Sequence, residues 1–466
     1  MVFLDYNSTK PLYQQLYEGL KSSILSGNIQ YNSPLVPIRK SAQELFVSRN
    51  TIDHAYQMLL SEGYVRSVRG GGYFVDYVPE NLGTKTDEKT QLSNGKRKLE
   101  LKYDFKYESV ESYNFPWTKW TKYIRNALLE EECSGEIGYE CNKGYYPLRE
   151  NLCSYLNKMR GVNCSPEQIV ICAGTQFAIQ TILSVLPKKK YRLAFENPGY
   201  DGMKKVFENG GFKLDSVNVL EDGIDLEMLK AKNCNMVYIT PSHQFPSGYV
   251  TSLQKRLDLL EWAEENDAYI IENDYDNEFS YSERRLPSLQ ALDNNDRVIY
   301  VSTLTKVLSP SIRTAYFVLP KRLVKSYEEH FSFFNSSLPT YHQRALAQFI
   351  ADGEVERHMR ELVVVNKRKY VIIREYLYKQ SDGLVKLFSQ SAGSHTLIKI
   401  PRCTDQKKLI EYMRENSIGL YGTKSYWNNQ NNAPEDTFLF GFSSMGEAEL
   451  EKGCREFVRV LKKYFD

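Results

Sequence analysis

Short runs that are apolar at almost every position constrain this chain more than any other feature. They read QIVICAG (168–174), YRLAFE (191–196), NMVYIT (235–240), AYIIEN (268–273), RVIYVS (297–302) and AYFVLP (315–320). A strand with one wet face alternates apolar and polar residues, whereas a strand covered on both faces need not. Helical patterns lie between most of the runs. This order predicts an α/β domain built on a mostly parallel sheet.

A chain of 466 residues is too long for one hydrophobic core. Residues 79–100, PENLGTKTDEKTQLSNGKRKLE, are polar and carry no apolar period, so they read as a solvated linker. The expected division is therefore a first domain at 1–78, a linker at 79–100 and a second domain at 101–466. A net charge of +2 gives no global electrostatic signature, so any nucleic-acid site has to be local. None of the eight cysteines belongs to a CxxC pair, which argues against a zinc site and a disulfide framework. Reduced thiols and a cytoplasmic protein are the expectation. The stretch MVFLDYNSTKPLYQQL lacks the basic and apolar regions of a signal peptide. No apolar run approaches the roughly 20 residues of a membrane-spanning helix.

In PLYQQLYEGLKSSILS (11–26), Leu12, Leu16, Leu20 and Ile24 form an apolar helical stripe, and Gly27 can stop the helix. Ser41 is expected to cap a second helix bearing Ala42 and Leu45. A turn at Phe46–Val47 then leads to Ser48, the cap of a third helix bearing Ile52, Ala55, Tyr56, Leu59 and Leu60. Helices joined in this way make a helix-turn-helix, and SVRGGGYFV (67–75) reads as a β-wing. In a DNA complex Ser48, Arg49, Asn50 and Thr51 would meet base edges and phosphates, and Arg39 and Lys40 backbone phosphates. Gly71, amid the glycines of the wing tip, would allow close approach to the duplex. A helical packing module without DNA is the alternative that residue types alone leave open. The ordered pattern PLYQQLYEGLKSSILSGNI, VSRNTIDHAYQMLLSEGYV and RGGGYFV resembles the winged helix-turn-helix of the GntR superfamily, which implies DNA binding. VPIRKSAQEL departs from the family's usual LPSSR before the second helix.

Lys306 lies between the runs 297–302 and 315–320, with Thr303 and Thr305 before it and Arg313 after it. Burial disfavours a charged lysine, and a lysine made less basic is the amine that condenses with an aldehyde. Hydroxyls with a guanidinium suit a phosphate. Together they suit pyridoxal 5'-phosphate (PLP), although a snorkelling lysine explains Lys306 taken alone. AGTQFAIQ (173–180) opens a helix after a strand, so the amides of Thr175 and Gln176 beside Gly174 make a phosphate site. Tyr200 in ENPGYDGM (196–203) can cover a flat ring, or simply pack. IIENDYDNEF (270–279) ends a strand with carboxylates and a tyrosine, and PLP enzymes place an acid at the pyridine nitrogen.

These pieces resemble the large domain of fold-type I PLP enzymes, the aspartate aminotransferase group. PSHQFPSG (241–248) is similar to the MocR regulators, which fuse a GntR helix-turn-helix to an aminotransferase-like domain. YDFKYESVESYNFPWTKW (103–120), GYYPLRENLCSYL (144–156) and AGSHTLIKI (392–400) extend the likeness over the chain outside the linker. The resemblance implies a mainly α winged helix-turn-helix, then an α/β transferase-like domain with a small α+β subdomain from about 350 to 466. It implies that Lys306 forms the Schiff base with PLP, and that Thr303, Thr305, Arg313 and the Gly174–Gln176 turn hold the phosphate. It also makes Tyr200 the stacking ring and Tyr275 the partner of the ring hydroxyl. Family members usually read Glu-Asp-Asp-Tyr where this chain has Glu272, Asn273, Asp274 and Tyr275. Strand alternation puts Asn273 with Tyr275, and a local shift would substitute Asp274, so either residue is a candidate for the nitrogen.

A regulator that senses PLP, or PLP joined to an amine or amino acid, is the expected function. A working aminotransferase with a DNA-binding appendage is the alternative, and a structural domain without cofactor is a third. Phe245 precedes the proline of HQFP where aminotransferases have asparagine, and TFLFGFSS (437–444) lacks their carboxylate-clamping arginine. Asp201 and Gly202 follow Tyr200, where relatives sensing γ-aminobutyrate carry an arginine. Lys424 is one replacement clamp to consider. The resemblance further implies a domain-swapped, head-to-tail homodimer on paired DNA half-sites.

Overall fold

The computed structural model describes residues 4–466 except 6–7, 9, 69, 78–100, 108–114, 134–137, 188, 277–285, 389–392 and 394. The linker expected at 79–100 lies outside the described residues. The chain divides into two compact units, Met1–Lys98 and Leu99–Asp466.

The first unit packs the helices Leu12–Leu25, Ile38–Glu44 and Arg49–Ser61 beside an antiparallel ribbon of Val65–Val68 and Gly72–Val75. Its core joins Leu16 and Ile24 to Ile52, Ala55, Leu59, Val65 and Val75, each at most 2% exposed. Pro11 precedes the first helix, and Gly27, at φ +73°, follows its end. The helix expected to start at Ser41 starts at Ile38 instead, after Pro37. Ser41 N–H donates to the Pro37 carbonyl, so this serine is a buried helical residue and not a cap. The fixed φ of Pro37 opens the helix one turn before the serine. Ser48 does cap its helix, accepting from Thr51 N–H at 3.1 Å.

The second unit is built on an eight-stranded sheet. Its strands follow the order Ile169–Cys172, Ala315–Val318, Val298–Thr303, Tyr269–Asn273, Met236–Ile239, Leu193–Asn197, Leu214–Leu220 and Gly223–Ile224. The apolar runs of the sequence supply most of these, and their central positions are buried, as a sheet covered on both faces requires. Val298–Thr303 through Leu214–Leu220 pair in parallel. Ala315–Val318 runs antiparallel between Val298–Thr303 and Ile169–Cys172. Successive parallel strands therefore end at one edge of the sheet, where ligands of such folds bind.

The C-terminal part carries a four-stranded antiparallel sheet of Lys386–Leu387, His395–Lys399, Thr437–Gly441 and Tyr421–Gly422. The helices Gln406–Glu415 and Glu447–Phe465 pack on it. Chain from the start of this unit joins it too. Tyr103–Asp104 pairs in parallel with Ile418–Gly419, and Phe105 stacks on Phe440 at 4.1 Å between ring centres. That packing carries Tyr107 toward the sheet edge. Among the described residues, no helix is long and apolar enough to cross a membrane.

Candidate cofactor site and nucleic-acid interface

A cavity of about 350 Å³ opens where the parallel strands end. Its wall includes Thr175, Gln176, Tyr200, Asn273, Tyr275, Thr303, Thr305, Lys306 and Arg313, residues far apart in sequence. One end gathers a guanidinium, two hydroxyls and a helix start. Gly174, at φ +95°, precedes the helix Thr175–Val185, whose first N–H groups lack helical partners. A Cβ at Gly174 would stand 2.4 Å from Arg313 Nη2, so the guanidinium packs where only glycine leaves room. Arg313 itself takes the left-handed conformation, φ +51°. Thr303 Oγ1 lies 2.8 Å from Thr305 Oγ1 and 2.9 Å from the Thr314 carbonyl, which fixes both hydroxyls.

Lys306 is half-buried, not enclosed as a lysine between two buried strands suggested, because it sits on the loop after Val298–Thr303. Its Nζ lies 3.8 Å from the centre of the Tyr107 ring. Tyr200 opens the helix Asp201–Asn209 and meets Phe245 edge-on at 5.5 Å between ring centres. Tyr275 Oη donates to the His243 carbonyl at 2.9 Å, which fixes the phenol at the cavity wall.

Strand alternation decides which way the acidic run points. Asn273 faces the cavity, where Nδ2 donates to Tyr238 Oη at 2.6 Å. Asp274 is not on the cavity wall. It accepts from Arg160 Nε and Tyr300 Oη, both at 2.8 Å, and is 1% exposed. Glu272 points the same way and accepts from the Leu289 and Gln290 amides at 2.7 and 2.9 Å. Burial first, then the neighbouring Asp274, raises the Glu272 carboxyl above its ordinary value. The carboxylates that look like a cavity feature in sequence thus serve a buried ionic layer behind it, for which Arg160 and Arg256 are the cations.

Other wall residues had no individual signal in the sequence: Tyr107, Met203, Tyr238, Thr240 and Pro310, while Phe245 was noted only as a departure from the aminotransferases. Tyr107 and Phe245 lay inside quoted motifs, but only the fold shows them facing one space. Behind them His243, Asp276 and His395 are buried with side-chain ligand atoms within 4.8 Å of one another. His243 Nδ1 lies 3.1 Å from Asp276 Oδ2. Lys424, considered as a carboxylate clamp, is ion-paired with Glu435 and is not on the cavity wall.

In the first unit Arg39, Ser48, Arg49 and Asn50 are exposed and Thr51 is half-buried. Ser48 to Thr51 form the start of the helix Arg49–Ser61, where Ser48 takes the Thr51 N–H and the helix dipole favours an anion. Gly71 is exposed at the turn of the ribbon. This geometry is a helix start beside a two-stranded wing.

Residues 12–75 match the family described as "Bacterial regulatory proteins, gntR family". An uncharacterized HTH-type transcriptional regulator of Bacillus subtilis, YdeL, is 32% identical over 99% of each chain. The probable rhizopine catabolism regulatory protein MocR of Rhizobium meliloti is 33% identical over 88% of this chain and 86% of its own. The chain belongs to the MocR-type transcriptional regulators. Its second unit has the fold-type I aminotransferase architecture. The α-aminoadipate aminotransferase LysN of Thermus thermophilus, solved with N-(5'-phosphopyridoxyl)-L-leucine, superposes with a TM-score of 0.68 at 23% identity. That match covers 78% of this chain and 92% of LysN. In this MocR-type transcriptional regulator a DNA-binding unit and an aminotransferase-like unit share one chain.

Proposed function

We propose that the second unit holds PLP and signals its presence, or that of an amine or amino acid joined to it, to the DNA-binding unit. The observation that carries this reading is a single cavity with a lysine, an anion cradle and aromatic walls. Its residues fit the group. The missing Cβ of Gly174 leaves room for the Arg313 guanidinium beside the helix start, and Asn273 Oδ1 is buried without a partner among the described residues. Arg313, Thr303, Thr305 and the amides of Thr175 and Gln176 would hold the phosphate. Lys306 Nζ would provide the attaching amine, Tyr200 would cover the ring and Tyr275 would face its hydroxyl. When bound, PLP supplies an aldehyde that condenses with primary amines and a ring able to accept electrons.

A ligand changes DNA binding only through unequal affinity for two conformations of the regulator. Phe245 and Tyr200 meet above the cavity, so an occupant that displaces either ring has a route to such a difference. The protein acts as a homodimer, with domains exchanged head to tail and paired wings on paired half-sites. Exposed Phe333 and Phe334, at 95% and 58%, offer apolar surface for a second copy.

The test is DNA binding upstream of the protein's own gene, measured without PLP, with PLP, and with PLP plus a panel of amines and amino acids. A change in affinity of roughly 5- to 150-fold is expected for the effective ligand. PLP acting alone identifies vitamin status as the signal, and an amine acting only with PLP identifies that amine. Lys306→Ala is expected to lose both covalent PLP and the response. A full response in Lys306→Ala would overturn the covalent reading.

A further inference from the structure

We infer that Asn273 leaves the nitrogen of a bound pyridine ring unprotonated, so that this site takes up amines without breaking their α-C–H bonds. The inference rests on the reading of the cavity as a PLP site. A ring nitrogen keeps its proton where an anionic partner stabilises the cation. Among the described residues, the cavity wall carries Lys306 and Arg313 and no carboxylate. The other carboxylates of this region lie off the cavity wall. Asp274 meets Arg160 and Tyr300, Glu272 meets the Leu289 and Gln290 amides, and Glu196 meets Thr240 N–H and Oγ1–H at 3.1 and 2.7 Å. Asp276 lies behind the wall, its Oδ2 3.1 Å from His243 Nδ1 and its Oδ1 without a partner among the described residues.

What remains is an amide. Asn273 is 7% exposed, its Nδ2 donates to Tyr238 Oη, and its Oδ1 has no partner among the described residues. A half-turn of the amide lets the Tyr238 hydroxyl donate to Oδ1 and aims an Nδ2–H at the cavity. That arrangement satisfies both side chains and presents a donor, which an unprotonated ring nitrogen accepts. Neither orientation supplies a negative charge. Burial holds the Tyr238 hydroxyl well above its ordinary range, so the phenol stays neutral as well.

The consequence is chemical. With PLP bound, loss of an α-C–H proton to a base would leave an electron pair for the ring to take up; a carboxylate at position 273 would support that by holding a proton on the ring nitrogen, and the neutral Asn273 amide would not. Amine exchange at the aldehyde carbon needs no such electron sink, so ligand uptake persists while transamination is suppressed. Asn273 is thus a positioning residue that keeps a sensor from consuming its signal.

The experiment loads the full-length protein with PLP labelled with ¹⁵N at the ring and records that nitrogen's resonance. In parallel, α-hydrogen exchange of added amino acids is followed in deuterated water. The native protein should show an unprotonated nitrogen and slow exchange. Asn273→Asp should move the resonance to the protonated position and speed exchange roughly 100-fold. A protonated nitrogen in native protein that retains PLP overturns the inference while leaving the cofactor reading intact. A protein that retains no PLP overturns the cofactor reading itself. The native resonance decides the matter even where Asn273→Asp fails to fold.

Discussion

Glu196 shows how one side chain sets a pH dependence. It is 5% exposed, and burial raises its carboxyl from 4.5 to about 7 against the hydrogen bonds from Thr240 and Gln244. Folding therefore favours the protonated form. Between the unfolded value near 4.5 and the folded value near 7, the native state binds the extra proton, so stability falls as pH rises through that window. The cost above the window is on the order of 3 kcal/mol. Glu196→Gln removes the titration. Its melting temperature relative to the native protein should rise with pH between these values and level off beyond them, as thermal unfolding across buffers would show. A constant difference from acid to neutral pH would contradict this account.

At the scale of elements, the strand Tyr269–Asn273 and its following loop sort polar groups to opposite sides of the sheet. Asn273 goes to the cavity, while Glu272 and Asp274 go to Arg256 and Arg160. The Arg160–Asp274 pair is buried on both sides, at 5% and 0% side-chain exposure. Arg160→Met leaves a buried carboxylate without its cation and should destabilise by about 3–5 kcal/mol. Adding Asp274→Leu removes the stranded charge and should recover most of that loss. Denaturant unfolding of both single variants and the double variant measures the coupling, and additive losses would show that the pair does not act as a unit. The helix Arg49–Ser61 has the complementary role, because its start is exposed and its other face is core.

For the whole molecule, two functions on one chain should be separable. Arg49→Ala removes an exposed side chain at a helix start and leaves the cavity residues in place. On the proposal that Arg49 meets a base edge, specific DNA binding should weaken by about 1–3 kcal/mol. The absorbance of bound PLP should be unchanged. Gel-shift titration beside a visible spectrum tests both statements on one preparation. A spectrum that changes with Arg49→Ala would show the two units to be coupled without DNA.

Local rules made much of this protein legible. The apolar runs announced buried strands because a strand covered on both faces is apolar at most positions. Ser48 announced a helix start because its hydroxyl meets an amide three residues on. Lys306, Arg313 and the Gly174 turn were readable as types suited to an aldehyde and a phosphate. Ser41 misled because Pro37 opened its helix earlier. Strand alternation favoured Asn273 over Asp274, but that no local shift reverses it depends on where Arg160, Tyr300 and Tyr238 lie in space. Tyr107 reaches Lys306 only because Phe105 is anchored in the C-terminal core. Sequence alone thus determined the elements and the residue types of the site, through short-range sterics, capping and apolar patterning. The tertiary structure alone decided which polar groups share a cavity and which are paired behind it, because burying a charge requires a partner that the chain supplies from far away.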